Sequence, residues 1–484
     1  MKSGLHDIVI AGAGLAGWLA ACALARVHAG RGGSVTLVPV SGPDDSLDPF
    51  GPVAPALPGF GAAFARLGLE EGEVLRAGGG GFSLGTAFTG WAGPSSVSFQ
   101  PFGDTGAELN GVGFTQLVWR ARQTGRGLRM TDYSLATLAA QMDRFSLPVA
   151  DTRSVLSTLA YGAFLELGGL AALARRRAEA AGARQASSPL AGVERTGDGN
   201  VAALVLADGA RLAGDWFIDA TGPSALLCRP DNGWQDWGRW LPCDKVAIVP
   251  VAPDGPPPPY GLHAAEPAGW TRRLPLRRGA WTARLSASAV GPADTATRSF
   301  TCGRRRSPWQ GNVLALGGAA AILDPVGGAS LSLLLSAIGR LVGLYPVDPR
   351  NGAEAGEYDR QTIDELERAR DFLILRYKLN GRRGDPLWDA ARDMAVPDSL
   401  THKMALYESR GRIPLLDGEL FSRSDWANLF DSQGVRARRC DIQAAALPDT
   451  AILAHLERLR TLLLRAAGGL PPHVRALAHL SGGT

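Results

Sequence analysis

Lysine is almost missing from this chain. Only Lys2, Lys245, Lys378 and Lys403 occur among 484 residues, and every other side-chain cation that is not histidine is an arginine. No primary amine lies between Lys2 and Lys245, so lysine chemistry cannot be assembled locally in that half. Net charge is also scarce. A formal +4 on this length, with no basic block, argues against nucleic acid as a partner. The five cysteines, Cys22, Cys228, Cys243, Cys302 and Cys440, show no CxxC spacing. An odd, dispersed set reads as reduced thiols, not as a disulfide framework or a cysteine metal site. The histidines are scattered too, so no metal-ligand cluster is expected. Long uncharged apolar runs are lacking. The best candidate, 329–345, carries Arg340, so no membrane span is expected. Met1 leads directly into an apolar strand pattern without a secretory leader, which points to the cytoplasm.

What is present is a globular composition, 45% hydrophobic with mean hydropathy near zero, long enough for two or three lobes. The informative stretch is at the N-terminus. Ile8 to Ile10 reads as a buried parallel strand that runs into Gly12-Ala13-Gly14-Leu15-Ala16-Gly17. A helical pattern with Leu19, Ala20, Leu24 and Ala25 follows. Glycines at this spacing serve a tight turn, a close approach to pyrophosphate and close helix-on-strand packing. The helix start turns its positive end toward phosphate.

Ser34 to Val38 reads as the second strand of a βαβ unit. Its end, where an acidic residue usually holds the ribose, is Pro39. Asp44 and Asp45 could substitute only if their loop folds back. Loop signals and a short helical pattern (Phe60, Ala63, Phe64, Leu67) lead to Gly78–Gly81, and Phe82 to Phe88 alternates like one strand. Residues 154–181 read as a helical region. Val193, Val201, Ala203, Val205 and Leu212 alternate as a β-meander, closed by Trp216-Phe217-Ile218 and then Asp219-Ala220-Thr221-Gly222. A second strand ending in small residues favours FAD over NAD. Gly311 to Gly318 is another apolar strand into a glycine turn. Gly327-Gly328-Ala329-Ser330 then opens a helix expected over Leu331 to Leu344. Pro256 to Pro259 reads as a surface loop, and from Glu357 onward the chain reads as mainly helical. No internal repeat is evident. The fold class expected is α/β, a two-dinucleotide-binding-fold flavoprotein of the Rossmann-like monooxygenase type with a mostly helical C-terminal substrate region.

Several motifs together carry a resemblance. Gly12-x-Gly14-x-x-Gly17-Trp18, Phe82-x-Leu84-Gly85-Thr86-x-Phe88-x-x-Trp91 and Pro101-Phe102-Gly103 are joined by Ser154-x-Leu156-Ser157-Thr158. Gly269-Trp270, Trp309-x-Gly311-Asn312 and Val396-Pro397-Asp398-Ser399 follow. In this order, from about residue 7 to about residue 480, the chain resembles the flavin-dependent tryptophan halogenases. The resemblance implies a large FAD box over 1–90, 150–225 and 300–345, a substrate lobe over 91–149 and 226–299, and a helical region over 346–484. It implies reduced FAD from a separate, transient flavin reductase, O₂ as oxidant, and a hypohalous acid that reaches a small aromatic, indole-like substrate through a tunnel. The expected cofactor residues are Gly12, Ala13, Gly14, Ala16, Gly17, Val38, Pro39, Asp219, Ala220, Thr221, Gly222, Gly317, Gly327, Gly328, Ala329 and Ser330.

At the reactive positions the chain departs from the family pattern. The family's essential lysine position is Ser83, and a hydroxyl neither hydrogen-bonds hypohalous acid as an ammonium does nor forms a haloamine. No histidine in this part of the chain could make Ser83 a nucleophile. The family's catalytic glutamate position is Gly327, which can neither stabilise a cationic intermediate nor take its proton. Asp324 holds the first acidic position of that segment, to which the family gives no catalytic role. Gln100 stands in the His-Pro-Phe motif, and Arg272 replaces the second tryptophan of Trp-x-Trp-x-Ile-Pro. The substrate candidates are therefore Gln100, Phe102, Trp270 and Arg272. Packing is the commoner duty of such aromatics, and Arg272 beside Arg273 has a solvated alternative. The sequence points to a flavin-dependent oxidoreductase without lysine-dependent halogenation. The alternative is a non-catalytic paralogue that binds or regulates a partner, as a homodimer or paired with an active copy.

Overall fold

The computed structural model describes residues 6–29, 32–42, 47, 49–252, 255–291, 297–345 and 352–480. The chain divides into two compact units. The first comprises Met1–Gly80, Leu165–Arg239 and Arg298–Glu367; the second comprises Gly81–Phe164, Trp240–Thr297 and Arg368–Thr484.

The first unit is built on the strand Asp7–Ala11, four of whose five residues are buried. Burial on both faces explains why this strand reads as an unbroken apolar run rather than an alternation. It lies in a sheet ordered 309–310, 313–315, 216–219, 7–11, 34–38 and 184–185. The pairs 7–11 with 34–38, 7–11 with 216–219, and 216–219 with 313–315 are all parallel. The helix Leu15–His28 connects the first two strands and is buried at twelve of its fourteen positions. Alanine and glycine fill much of it, which lets it pack closely on the helices Leu167–Ala180 and Ser330–Gly343. The expected meander is present as 190–195, 201–206 and 211–213, all antiparallel. Its Val201, Leu204 and Leu206 share a core with Val9, Val38, Phe217 and Val313 of the parallel sheet.

The region 154–181 is not continuously helical. Ser154 caps a single 3₁₀ turn, Val155–Thr158, and the strand Gly162–Glu166 precedes the helix Leu167–Ala180. The apolar run Gly162-Ala163-Phe164-Leu165 has no period that separates a short strand from a buried helix. Long-range pairing with Gly81–Ser83 decides the matter. The stretch Phe82 to Phe88 is likewise two strands, Gly81–Ser83 and Gly85–Thr89, broken at Leu84. Gly85 there has φ +152°, and a Cβ on it would lie 2.2 Å from the Gln100 carbonyl oxygen.

The second unit carries six strands of one sheet in the order 245–251, 280–286, 269–275, 261–266, 85–89 and 97–101. Only the pairing of 261–266 with 85–89 is parallel among these. The register places Phe88 opposite His263 and His263 opposite Arg272, so these three and Trp270 share one face. Trp91, Trp270, Tyr377 and Trp388 are fully buried together, with ring centroids 4.9–5.8 Å apart. The unit also contains the helices Phe114–Gln123, Asp398–Arg410, Arg423–Ser432 and Asp449–Gly469. Among the described residues no helix is long and apolar enough to cross a membrane.

Candidate functional site

The first unit gathers its glycine turns at one end of the parallel sheet. Gly12 follows the strand 7–11 with φ +102°, and a Cβ on it would lie 2.3 Å from the Ala220 carbonyl oxygen. Gly17 is pressed as hard from the other side: its Cβ would lie 2.0 Å from the Gly12 carbonyl oxygen. Side chains at either position would push the helix, the turn and the strand 216–219 apart. Gly12 N–H donates to Val38 O at 2.8 Å, Ala220 N–H to Ala11 O at 2.8 Å, and Leu316 N–H to Asp219 O at 2.9 Å. Residues 12–14, 38–39, 219–222 and 316–317 therefore form one rim of adjacent strand ends.

Gly14 is the N-cap of the helix Leu15–His28 and, having no side chain, leaves that end without a side-chain cap; the first turn, with Ala16 in it, contains no acidic residue. This is the arrangement a dinucleotide pyrophosphate needs, since nothing negative competes for the positive helix end. Ala13 is part of the turn itself. Val38 is buried, and Pro39 spends its carbonyl oxygen on Leu190 N–H at 2.8 Å. Pro39 offers no carboxylate for a ribose, and Asp44 and Asp45 lie outside the described residues.

Asp219 serves the rim from within. Its carboxylate is wholly buried and accepts four hydrogen bonds. Thr221 N–H and Thr221 Oγ1–H donate to Oδ1 at 3.1 and 2.6 Å, and Leu227 and Cys228 N–H donate to Oδ2 at 2.7 and 3.1 Å. Its chemistry is spent on holding the 220–228 loop, with Ala220, Thr221 and Gly222 at the rim. Burial, with Asp219 nearby, pushes the Cys228 thiol up to about 12, so it stays protonated.

The second glycine segment stands on the same unit. Gly317 begins a 3₁₀ turn that packs on the turn 222–224. Gly317 and Ser330 line one small cavity of about 40 Å³. Asp324 is buried, and its Oδ1 accepts Val326 N–H at 3.0 Å, which caps the 3₁₀ turn Pro325–Gly327. Gly327 contributes backbone alone. Gly328 has φ +65°, and its Cβ would come within 3.1 Å of Pro55. Ala329 is the N-cap of Ser330–Gly343, a helix that also starts without an acidic residue.

In the second unit Ser83 and Phe102 come together. Phe102 N–H donates to Leu84 O at 2.8 Å, and Pro101 pairs with Gly85. Ser83 is buried and closed on its own backbone: Oγ–H donates to Gly85 O at 3.0 Å and Oγ accepts Gly85 N–H at 3.3 Å. The three lysines among the described residues, Lys245, Lys378 and Lys403, lie elsewhere. Lys245 begins a strand four places across the sheet from 85–89. Lys378 donates to the carbonyls of Arg392 and Met394, and Lys403 forms a buried ion pair with Glu419.

Gln100 is the centre of a network that the sequence did not announce. Its Nε2 donates to Asp425 O at 3.1 Å, and its Oε1 accepts from Arg376 Nη2 at 3.2 Å. Arg376 is 2% exposed, with its guanidinium carbon 3.5 Å from the Phe88 ring centroid. Burial pushes Arg376 down to about 9. His263 is buried between Phe88 and Trp270, with centroids at 5.0 and 4.9 Å. Desolvation, reinforced by Arg272 and Arg376, drives it well below the ordinary histidine range, so it is neutral at pH 7. Arg272 is 4% exposed, which removes the solvated alternative. Trp270 donates Nε1–H to Tyr377 Oη at 2.8 Å and is fully buried core. One signal could have exposed Arg376: a cation inside the apolar helical run Phe372–Tyr377, where every turn otherwise faces the interior.

Comparisons with known proteins are consistent across the chain. A family model described as tryptophan halogenase matches residues 7–449. Among solved structures, BrvH, a flavin-dependent halogenase from Brevundimonas sp. BAL3, is 31% identical with a TM-score of 0.92, covering 98% of this chain and 99% of that one. Xcc4156, a flavin-dependent halogenase from Xanthomonas campestris, is 30% identical with a TM-score of 0.92 and 98% coverage of both chains. Among curated proteins, tryptophan 7-halogenase RebH of Lentzea aerocolonigenes is 23% identical over 447 residues, covering 84% of this chain and 83% of that protein.

Proposed function

The chain belongs to the tryptophan halogenase family, and from that premise we propose that it is an FAD-dependent oxidoreductase that uses reduced flavin and O₂ on a small aromatic substrate without lysine-dependent halogenation. The observation that carries this reading is Ser83. Ser83, which the resemblance sets at the family's lysine position, is a hydroxyl closed on Gly85 backbone, while the glycine rim of the first unit is intact. FAD is held in this reading by the turn Gly12–Gly17, the loop 219–222, and the segments at Gly317 and Gly327–Ser330. When bound, it supplies the oxygen-activating chemistry. A separate reductase delivers the electrons.

The protein's own side chains then act on the substrate. Phe102 provides apolar wall, and the buried Trp270 and Gln100, the latter held by Asp425 and Arg376, keep the surrounding side chains in place. Neutral His263 does not add charge there, while Arg272 and Arg376 favour a substrate with electron density to offer.

The test is an FAD titration followed by product analysis. Flavin binding, with an oxygenated or dehydrogenated aromatic product in the presence of a flavin reductase and O₂, is the expected result. A sample that takes up no flavin from excess FAD refutes it. So does a halide-dependent brominated or chlorinated product, which would require an amine or carboxylate from elsewhere. The non-catalytic alternative is supported by the same Ser83 and Gly327, and any enzyme-dependent turnover eliminates it.

A further inference from the structure

A cavity of about 620 Å³ opens in the second unit, within the size range of small-molecule sites. It shares two elements with the candidate substrate wall. Thr105, three residues beyond Phe102, lines it, and so does Asn428, one turn along the helix from the Asp425 that holds Gln100. Its apolar lining includes Phe114, Met130 and Ile413.

Its polar features point to one ligand chemistry. The ten-residue helix Phe114–Gln123 begins at the cavity. Its N-cap, Gly113, makes no side-chain cap, and the first turn holds no acidic residue. Such an end attracts an anion. Arg423 stands exposed on the rim with no ion pair among the described residues, while Arg412 is already paired with Asp441 at 2.9 Å. The independent observation is Asn428, which is 1% exposed. Its Nδ2 donates to Thr105 Oγ1 at 2.9 Å, and Oδ1 has no partner among the described residues. Inverting the amide lets the Thr105 hydroxyl donate to oxygen and leaves an N–H unpaired instead. In either orientation one buried amide atom lacks a partner, and a ligand amide, which both donates and accepts, can supply it.

We infer that this cavity binds the carboxylate end of an amide-containing acid, an N-acylated amino acid or short peptide. The carboxylate meets the helix end and Arg423, the amide meets Asn428, and an apolar side chain lies on Phe114, Met130 and Ile413. This rests on the reading above and deepens it: the aromatic substrate is peptide-like and is gripped beyond its reacting ring.

The test is calorimetric titration of the full chain with N-acetyl-tryptophanyl-glycine and, in parallel, with its C-terminal amide, without flavin. The acid should bind about tenfold more tightly than the amide, since a charge-assisted contact is lost in the latter. Arg423→Gln should weaken the acid about tenfold and leave the amide unchanged. Asn428→Leu should weaken both. Arg423 is exposed, so its variant folds whatever becomes of Asn428→Leu. Equal binding of acid and amide, no heat with either, or an unchanged acid affinity in Arg423→Gln overturns the inference. Because flavin is left out, such a failure is distinct from a failure to bind FAD or to turn over.

Discussion

Asp219→Asn is the sharpest perturbation of the cradle. All four partners of the carboxylate are donors, two on each oxygen. An asparagine amide keeps one acceptor oxygen and replaces the other with an NH₂ group. In its better orientation the oxygen retains Leu227 and Cys228 N–H, and the NH₂ faces Thr221. The Thr221 hydroxyl oxygen already accepts Leu226 N–H at 2.9 Å, so it is a poor acceptor for a new donor. The variant loses at least one charge-assisted hydrogen bond and confronts two donors, together about 3 kcal/mol. A chain of two compact units need not unfold in two states, so a local probe is preferable. Amide hydrogen exchange at Leu227 and Cys228 should accelerate on the order of a hundredfold if the loop opens with that penalty. FAD affinity should fall with it, because Ala220–Gly222 move with the loop. If these two amides exchange as slowly in the variant as in the parent, Asp219 does not hold the rim and the account of the cradle is wrong.

Two further outcomes follow from buried charge. His263 is driven below its unfolded value, so the unfolded chain binds the extra proton as pH falls through about 6.5, and stability is lost progressively below that pH. His263→Phe should flatten the acid limb of a thermal-melt series by up to about 1.4 kcal/mol per pH unit, and an unchanged slope would show that His28 and His473, also lowered by burial, carry it. Lys403→Met leaves the buried Glu419 carboxylate, among the described residues, with Trp426 Nε1–H at 3.2 Å as its remaining side-chain donor. The loss should be about 3–5 kcal/mol, because one charge is left buried without its partner; a melt insensitive to the change refutes the buried pair's role.

Much of the first unit was legible because its signals are local. Asp7–Ala11, Ser34–Val38, the meander and the helix after Gly328 all fall within a residue or two of the pattern that announced them. Each is specified by a period, a cap or a glycine that a short window contains. The failure at 154–181 had the opposite cause. An apolar run whose partner strand lies some eighty residues away has no local preference to reveal.

The site divides along the same line. Gly12 and Gly17 can be read from spacing, since the turn they make is local. Ser83 and Gly327 come forward only through what the family resemblance implies for their positions. What no window contains is the meeting of Gln100 with Arg376 and Asp425, the burial of Arg272, or the seating of His263 between Phe88 and Trp270. Those depend on sheet register and on helices drawn from distant parts of the chain. Residue order by itself determined the glycine turns and the scarcity of lysine, because backbone turns and side-chain identity are local properties. Only the tertiary structure decided which polar groups are buried, who partners them and in which charge state they sit, because desolvation and pairing arise when distant segments close over one another.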